Sequence, residues 1–130
     1  MKNRVLDTCI LIDIWHGRSA SKIRVRSDET AREAAQTWLK KFPNDGILTP
    51  IRLEFVGGTK DKDDLRLADI FLTEFELLDE GSVLVEDWRE AERRARWIRE
   101  KGRTRGALDS LIRAICDRLN ADLYTHDTGI

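Results

Sequence analysis

Arg4-Val5-Leu6-Asp7-Thr8-Cys9-Ile10-Leu11-Ile12-Asp13 is the stretch on which the reading of this chain turns. Arg4 to Asp7 has the length and apolarity of a short strand. Thr8 to His16 begins a helix capped by Asp7 or Thr8, whose side-chain oxygens accept from the free N–H groups of a first turn. Working outward, Gly17 to Asp28 is polar and rich in Ser and Arg, and reads as a loop or mobile segment. From Glu29, Ala31, Ala34, Ala35, Trp38, Leu39 and Phe42 recur at helical spacing until Pro43-Asn44-Asp45-Gly46 stops the helix. Ile47 to Thr49 is a second strand, and Pro50 opens a short helix over Ile51 to Val56 that Gly57-Gly58 ends. Leu65, Leu67, Ala68, Phe71 and Leu72 mark a further helix, and Phe75 to Leu78 a third strand. Val85 to Lys101 is a long helix closed by Gly102. Leu108, Leu111, Ile112, Ile115 and Leu119 form the apolar stripe of the last helix, and Ala121 to Thr125 is the fourth strand. Strands separated by helices predict a parallel sheet with right-handed crossovers and helices on both faces.

Composition sets the frame for that pattern. A chain of 130 residues that is 41% hydrophobic, with four Trp and four Phe, buries a core and is expected to form one domain over 1–130. Charged residues make up 36%, yet the net charge is −1, so attraction to nucleic acid has to be local rather than global. No apolar run approaches the roughly 18 residues of a membrane span. The N-terminus lacks the apolar region of a signal peptide. Cys9 and Cys116 sit in apolar patterns and read as small buried residues of a reducing cytoplasm. Neither has zinc-type spacing.

Four acids stand where an acid is expensive. Asp7 follows Val5-Leu6, and Glu54 sits in Ile51-Arg52-Leu53-Glu54-Phe55-Val56. Asp109 lies within Ala107-Leu108-Asp109-Ser110-Leu111-Ile112, and Asp127 follows Leu123-Tyr124-Thr125-His126. A carboxylate beside buried surface is costly unless neutralised. A divalent cation does this economically, since Mg²⁺ and Mn²⁺ prefer carboxylate oxygens and water. Asp7 and Asp127 fall at the ends of the first and fourth expected strands, and Glu54 lies one short turn after the second. Open parallel sheets bind ligands beyond the carboxyl ends of their strands, so the acids are expected to converge there. Each has a plainer explanation: a helix cap for Asp7, a solvated helix position for Glu54, a helix N-terminus near Gly106 for Asp109, a turn for Asp127. All four explanations would have to hold at once, with the shared location as coincidence.

These motifs, in this order, resemble PIN-domain ribonucleases. Val5 to Asp13 is similar to their opening strand and first acid. Thr49-Pro50-Ile51-Arg52-Leu53-Glu54-Phe55-Val56-Gly57-Gly58 resembles their second motif, Ala107 to Cys116 their third, and Leu123 to Asp127 their closing strand and fourth acid. The resemblance spans residues 5 to 127, and with the chain's size it is similar to the VapC-type toxins of toxin–antitoxin pairs. It implies a three-layer α/β fold with a short central parallel sheet of four or five strands. The chain ends at Ile130, so the fifth edge strand common in the family is expected to be missing or reduced. His126 stands where that family often has Arg or Lys.

The resemblance further implies an endoribonuclease in which Asp7, Glu54, Asp109 and Asp127 hold Mg²⁺ or Mn²⁺ and a metal-activated water cleaves the phosphodiester. Thr8, Ser110 and Thr125 are candidates to support the carboxylates, with cap or turn formation as the alternative. Arg89, Arg93 and Arg96 share a helix face, and with Arg103 and Arg105 they lead into the Asp109 motif as candidate RNA contacts. The alternative is an ion-paired helix surface, because Glu86, Asp87, Glu90, Glu92 and Glu100 are interleaved. Trp88 and Trp97 either stack on bases or belong to core or subunit contacts. The implied partners are RNA, a small antitoxin and a second copy of the chain. Trp15, Phe55 and Leu72 are by position candidate antitoxin contacts and equally candidate core residues, and Trp38, Leu65 and Phe71 are candidate dimer contacts. The rival readings are a housekeeping PIN nuclease without antitoxin, a receiver or dehalogenase-like phosphoryl-transfer domain, and a catalytically silent interaction module. A dehalogenase wants a second Asp where Cys9 stands, and a receiver wants paired acids after its first strand and a late Lys.

Overall fold

A computed structural model of the chain describes residues 2–20, 22–102 and 106–126. The chain runs β1 (Arg4–Leu6), α1 (Thr8–Trp15), α2 (Asp28–Lys41), β2 (Asp45–Gly46), α3 (Thr49–Gly57), α4 (Lys62–Thr73), α5 (Val85–Glu100), α6 (Ala107–Leu119) and β3 (Asp122–Tyr124). Both pairings of the sheet are parallel and its order is β2-β1-β3, so β1 is the central strand. Val5 and Leu6 point to opposite faces of that strand, yet both are fully buried. Both faces of the sheet are therefore covered, as an all-parallel sheet requires.

The helices that do the covering fall into two sets. α2 packs on α1 and α4, and α5 packs on α6, while α3 touches α1, α4 and α6. Their ends are chemically marked. Ser27 and Thr30 form a capping box at α2, Asp61 accepts from the Asp64 N–H at α4, and left-handed Asn120 closes α6. The start of α3 is capped from a distance. Asp79 accepts from the Thr49 N–H at 2.8 Å and from its hydroxyl at 2.9 Å.

The strands depart most from expectation. Among the described residues there are three, not four or five. The second lies at Asp45–Gly46 rather than Ile47–Thr49, because Arg4 on β1 grips the Asp45 carboxylate at 2.9 and 2.7 Å and sets the register Arg4↔Asp45. Trp38 adds an indole N–H to the same carboxylate at 2.9 Å. Phe75 to Leu78 forms no strand and is reduced to one parallel bridge, Ile47 to Leu77. The close approach of that segment explains Gly46, where a Cβ would lie 2.7 Å from Leu78 Cγ and 2.8 Å from the Glu76 carbonyl oxygen.

The stretch read as a mobile loop is partly pinned. It returns to the end of α1 through an antiparallel bridge between His16 and Arg24 and a 2.9 Å bond from the Val25 N–H to the Trp15 carbonyl. Gly17, at φ +72°, lets the returning backbone close, since a Cβ there would meet Arg24 N at 2.9 Å. Burial also corrects several candidate contacts. Trp38, Phe55, Phe71 and Leu72 belong to the core, whereas Leu65 is exposed and Trp15 half-buried against Phe55 and Phe71.

Candidate active site

Asp7 is the residue at which β1 becomes α1. Its backbone N–H donates to the Tyr124 carbonyl at 3.0 Å, continuing the β1–β3 pairing, and its carboxylate caps α1 through the Thr8 N–H at 2.8 Å. The other carboxylate oxygen accepts from the Thr125 hydroxyl at 2.7 Å, just past the end of β3. Glu54 comes from the exposed side of α3, and its carboxylate takes a hydrogen bond from the Thr8 hydroxyl. Asp109 sits in the first turn of α6, half-buried. Its carboxylate accepts from Arg113, one turn on, at 3.1 Å.

A cleft of about 630 Å³ is lined by Asp7, Thr8, Glu54, Asp109, Thr125 and His126, with Cys9 and Ile112 among its apolar surface. Three of the four expected acids thus reach one opening, from β1, α3 and α6. Asp127, Arg103 and Arg105 lie outside the described residues. Of the three hydroxyl candidates, Thr8 donates to Glu54 and Thr125 to Asp7. Ser110 does not: it is buried on α6, and its hydroxyl has no hydrogen-bond partner among the described residues.

Carboxylate and hydroxyl oxygens are hard donors, the kind that Mg²⁺ and Mn²⁺ take. By donor chemistry the residues fit such an ion. Among the described residues, however, no three acidic, His or Cys side chains lie close enough together to hold one. Asp109 carries Arg113 as a counter-charge instead. Cys9 and His126 border the same cleft. The Cys9 sulfur lies 3.6 Å from the Thr125 hydroxyl and accepts from the His126 N–H at 3.4 Å, and the His126 ring meets Asp13 at 2.6 Å. Composition alone would not have flagged Asp13, although its place one turn and a half after Asp7 on α1 puts it near this edge. Cys116 is no nucleophile: burial pushes its thiol up to about 12.

On α5, Arg93 pairs with Glu90 at 3.1 Å and Arg96 with Glu92 at 3.1 Å. Arg94 joins Glu90 at 2.8 Å and also pairs with Asp117 on α6. Arg94 and Arg93 together hold the Glu90 carboxyl below its ordinary range. Trp88 and Trp97 are exposed, the latter beneath Lys101 at 5.7 Å.

A parallel sheet whose carboxyl end opens into an acid-lined cleft defines a class of α/β protein that works on ligands at that edge. The chain matches the PIN domain model over residues 4–130 and belongs to that family. Comparison with curated proteins yields no match. PIN domains are generally nucleases that use divalent metal ions, so a nuclease-type hydrolase acting on nucleic acid follows from membership. No helix among the described residues is long and apolar enough to cross a membrane.

Proposed function

We propose that this chain is a Mg²⁺- or Mn²⁺-dependent endoribonuclease that serves as the toxin of a toxin–antitoxin pair in the cytoplasm. The observation that supports the reading is the arrival of Asp7, Glu54 and Asp109, from three separate segments, at one cleft beyond the sheet. The bound ion would supply Lewis-acid polarisation of the phosphodiester and a lowered pKa for water at the site. Asp7, Glu54, Asp109 and Asp127 would hold it. Thr125 and Thr8 hydrogen-bond the Asp7 and Glu54 carboxylates at the cleft, and loading would draw the acids closer together and part Asp109 from Arg113. Arg89, Arg93 and Arg96, with Arg103 and Arg105, contact phosphates farther along the strand, Arg93 and Arg96 exchanging glutamate for phosphate as they do so. Such a nuclease is hazardous to its own cell, so control comes from a small partner protein, and the active form is a homodimer.

Purified chain incubated with structured and single-stranded RNAs should cleave in the presence of Mg²⁺ or Mn²⁺ and stop on chelation. Asp7→Asn and Asp109→Asn should each remove at least 100-fold of the rate. Cleavage that survives both chelation and the double variant would sink the metal reading. Expression of the wild-type chain alone should slow growth, and Asp7→Ala should relieve it at equal soluble yield. Harmless expression of an active nuclease would favour a housekeeping enzyme over a toxin.

A further inference from the structure

A second cleft, of about 350 Å³, opens beside the first and shares Thr8, Ile12 and Glu54 with it. Where the first is acidic, this one receives two cations from different parts of the chain. Arg24 arrives on the returning segment after α1, and Lys60 from the junction between α3 and α4. Among the described residues neither has an ion pair or side-chain hydrogen bond, in contrast to Arg93, Arg94 and Arg96 on α5, which are all matched by carboxylates. Arg24 is held in place rather than dangling. The His16–Arg24 bridge, the Val25-to-Trp15 hydrogen bond and the close passage over Gly17 fix its backbone at the rim. Lys60 follows a turn closed by the Thr59 hydroxyl on the Val56 carbonyl at 2.8 Å. Two acids also face this cleft: Glu54, engaged by Thr8, and Asp64, in the first turn of α4 where the helix dipole offsets part of its charge.

We infer that this second cleft is a subsite for the substrate strand, in which Arg24 and Lys60 hold a phosphate flanking the one in the acid cleft. The inference rests on the nuclease reading. A polyanion laid across Asp7, Glu54 and Asp109 needs a compensating cation nearby, and phosphate contacts fix register without reading sequence. Unpaired cations serve this purpose at lower cost than paired ones, since no existing ion pair has to break. The continuity through Thr8, Ile12 and Glu54 gives the strand a path from one cleft to the other.

The test is fluorescence anisotropy of a labelled single-stranded 12-mer, in ribo and deoxy forms, with the full chain in chelator across a salt series. Arg24→Ala/Lys60→Ala should weaken binding at least fivefold at low salt. It should also lower the slope of log affinity against log salt by about 0.7–1, the loss of one phosphate contact. Its melting temperature should stay within about a degree of wild type, because neither side chain has a partner to lose, and Arg24→Lys should restore most of the slope. An Arg24→Ala/Lys60→Ala variant with wild-type affinity and slope, in a chain that still cleaves RNA with Mg²⁺, overturns the subsite alone. A wild-type chain that neither binds nor cleaves any strand overturns the nuclease reading with it. Loss of binding to a labelled glutamate decamer with unchanged strand affinity would make the cleft a protein-docking site and likewise overturn the proposal.

Discussion

Asp87, at 2% exposure, is the most enclosed carboxylate among the described residues, and it has nothing to do with the cleft. It ties α5 to α6 by accepting from Arg118 at 2.7 and 2.9 Å, and it takes the Leu84 N–H at 2.9 Å. Burial alone would push its pKa up, but these hydrogen bonds and the guanidinium charge win and hold it below the ordinary value. The folded chain then binds fewer protons than the unfolded chain. The stability Asp87 contributes is complete above the unfolded value of roughly 3.9 and is lost as pH falls through the lower, folded value. Asp87→Asn should cost about 1–3 kcal/mol at pH 7, and its urea midpoint should drop less than that of wild type between pH 6 and pH 3. Parallel decline of the two proteins would remove Asp87 from the acid response.

A second consequence at this scale concerns Arg113, which partly neutralises Asp109. Removing that cation while keeping a polar side chain, as in Arg113→Gln, should tighten Mn²⁺ binding several-fold, read from the metal dependence of the melting temperature. Unchanged or weaker binding would mean that Arg113 assists the site instead of competing for it.

Carboxylates also show how far the sequence could be read. Asp7, Glu54 and Asp109 were legible because each lies in a local apolar motif. The three that are truly buried, Asp45, Asp79 and Asp87, were not, because their partners lie far along the chain. Arg4 is 41 residues from Asp45, Thr49 is 30 from Asp79, and Arg118 is 31 from Asp87. Asp45 in Pro-Asn-Asp-Gly looked like an ordinary turn residue. Expense in the sequence and expense in the fold are different quantities, and only contacts decide the second.

At the scale of elements, the helices were readable and the strands only in part: Arg4 to Asp7 and Ala121 to Thr125 read as strands and pair as β1 and β3, whereas the second lies elsewhere and Phe75 to Leu78 makes only a bridge. α2, α4, α5 and α6 run 12 to 16 residues, long enough for a 3.6-residue period to repeat. The strands have two or three residues, too few for alternation to register, and their placement is set by the neighbours they pair with. The returning segment after α1 likewise carries no period, since its order comes from a glycine and two backbone bonds. Gly17→Ala tests that order directly. A positive φ and a backbone contact at 2.9 Å should together cost about 1–3 kcal/mol, which lowers the melting temperature by roughly 3–10 °C. It should also weaken strand binding by displacing Arg24. An unchanged melting temperature would show that the segment accommodates the methyl group and is less constrained than its geometry implies.

For the whole molecule, one core joins the two helical sets, and the acid cleft draws on β1, α3, α6 and the end of β3. Ligation across such separated segments couples the site to global stability. Millimolar Mn²⁺ should raise the melting temperature of the wild-type chain by several degrees, by mass action on the native state. Asp7→Asn/Asp109→Asn should abolish the increment. A double variant that gains as much from Mn²⁺ as wild type would place the bound ion elsewhere on the surface.

The central position of β1 carries one more consequence, and it concerns time. One of its two neighbours, β3, comes more than a hundred residues later in the chain. Until residues 122 to 126 are available, Asp7 lacks both the backbone pairing of Tyr124 and the hydroxyl of Thr125, and one side of β1 stays bare. Contacts this distant along a chain form late and slowly. The cleft is therefore among the last parts of the fold to assemble, and a chain that has not yet paired β3 carries the acids without the geometry that brings them together. Folding order alone thus holds the site back until the far end of the fold has joined its centre.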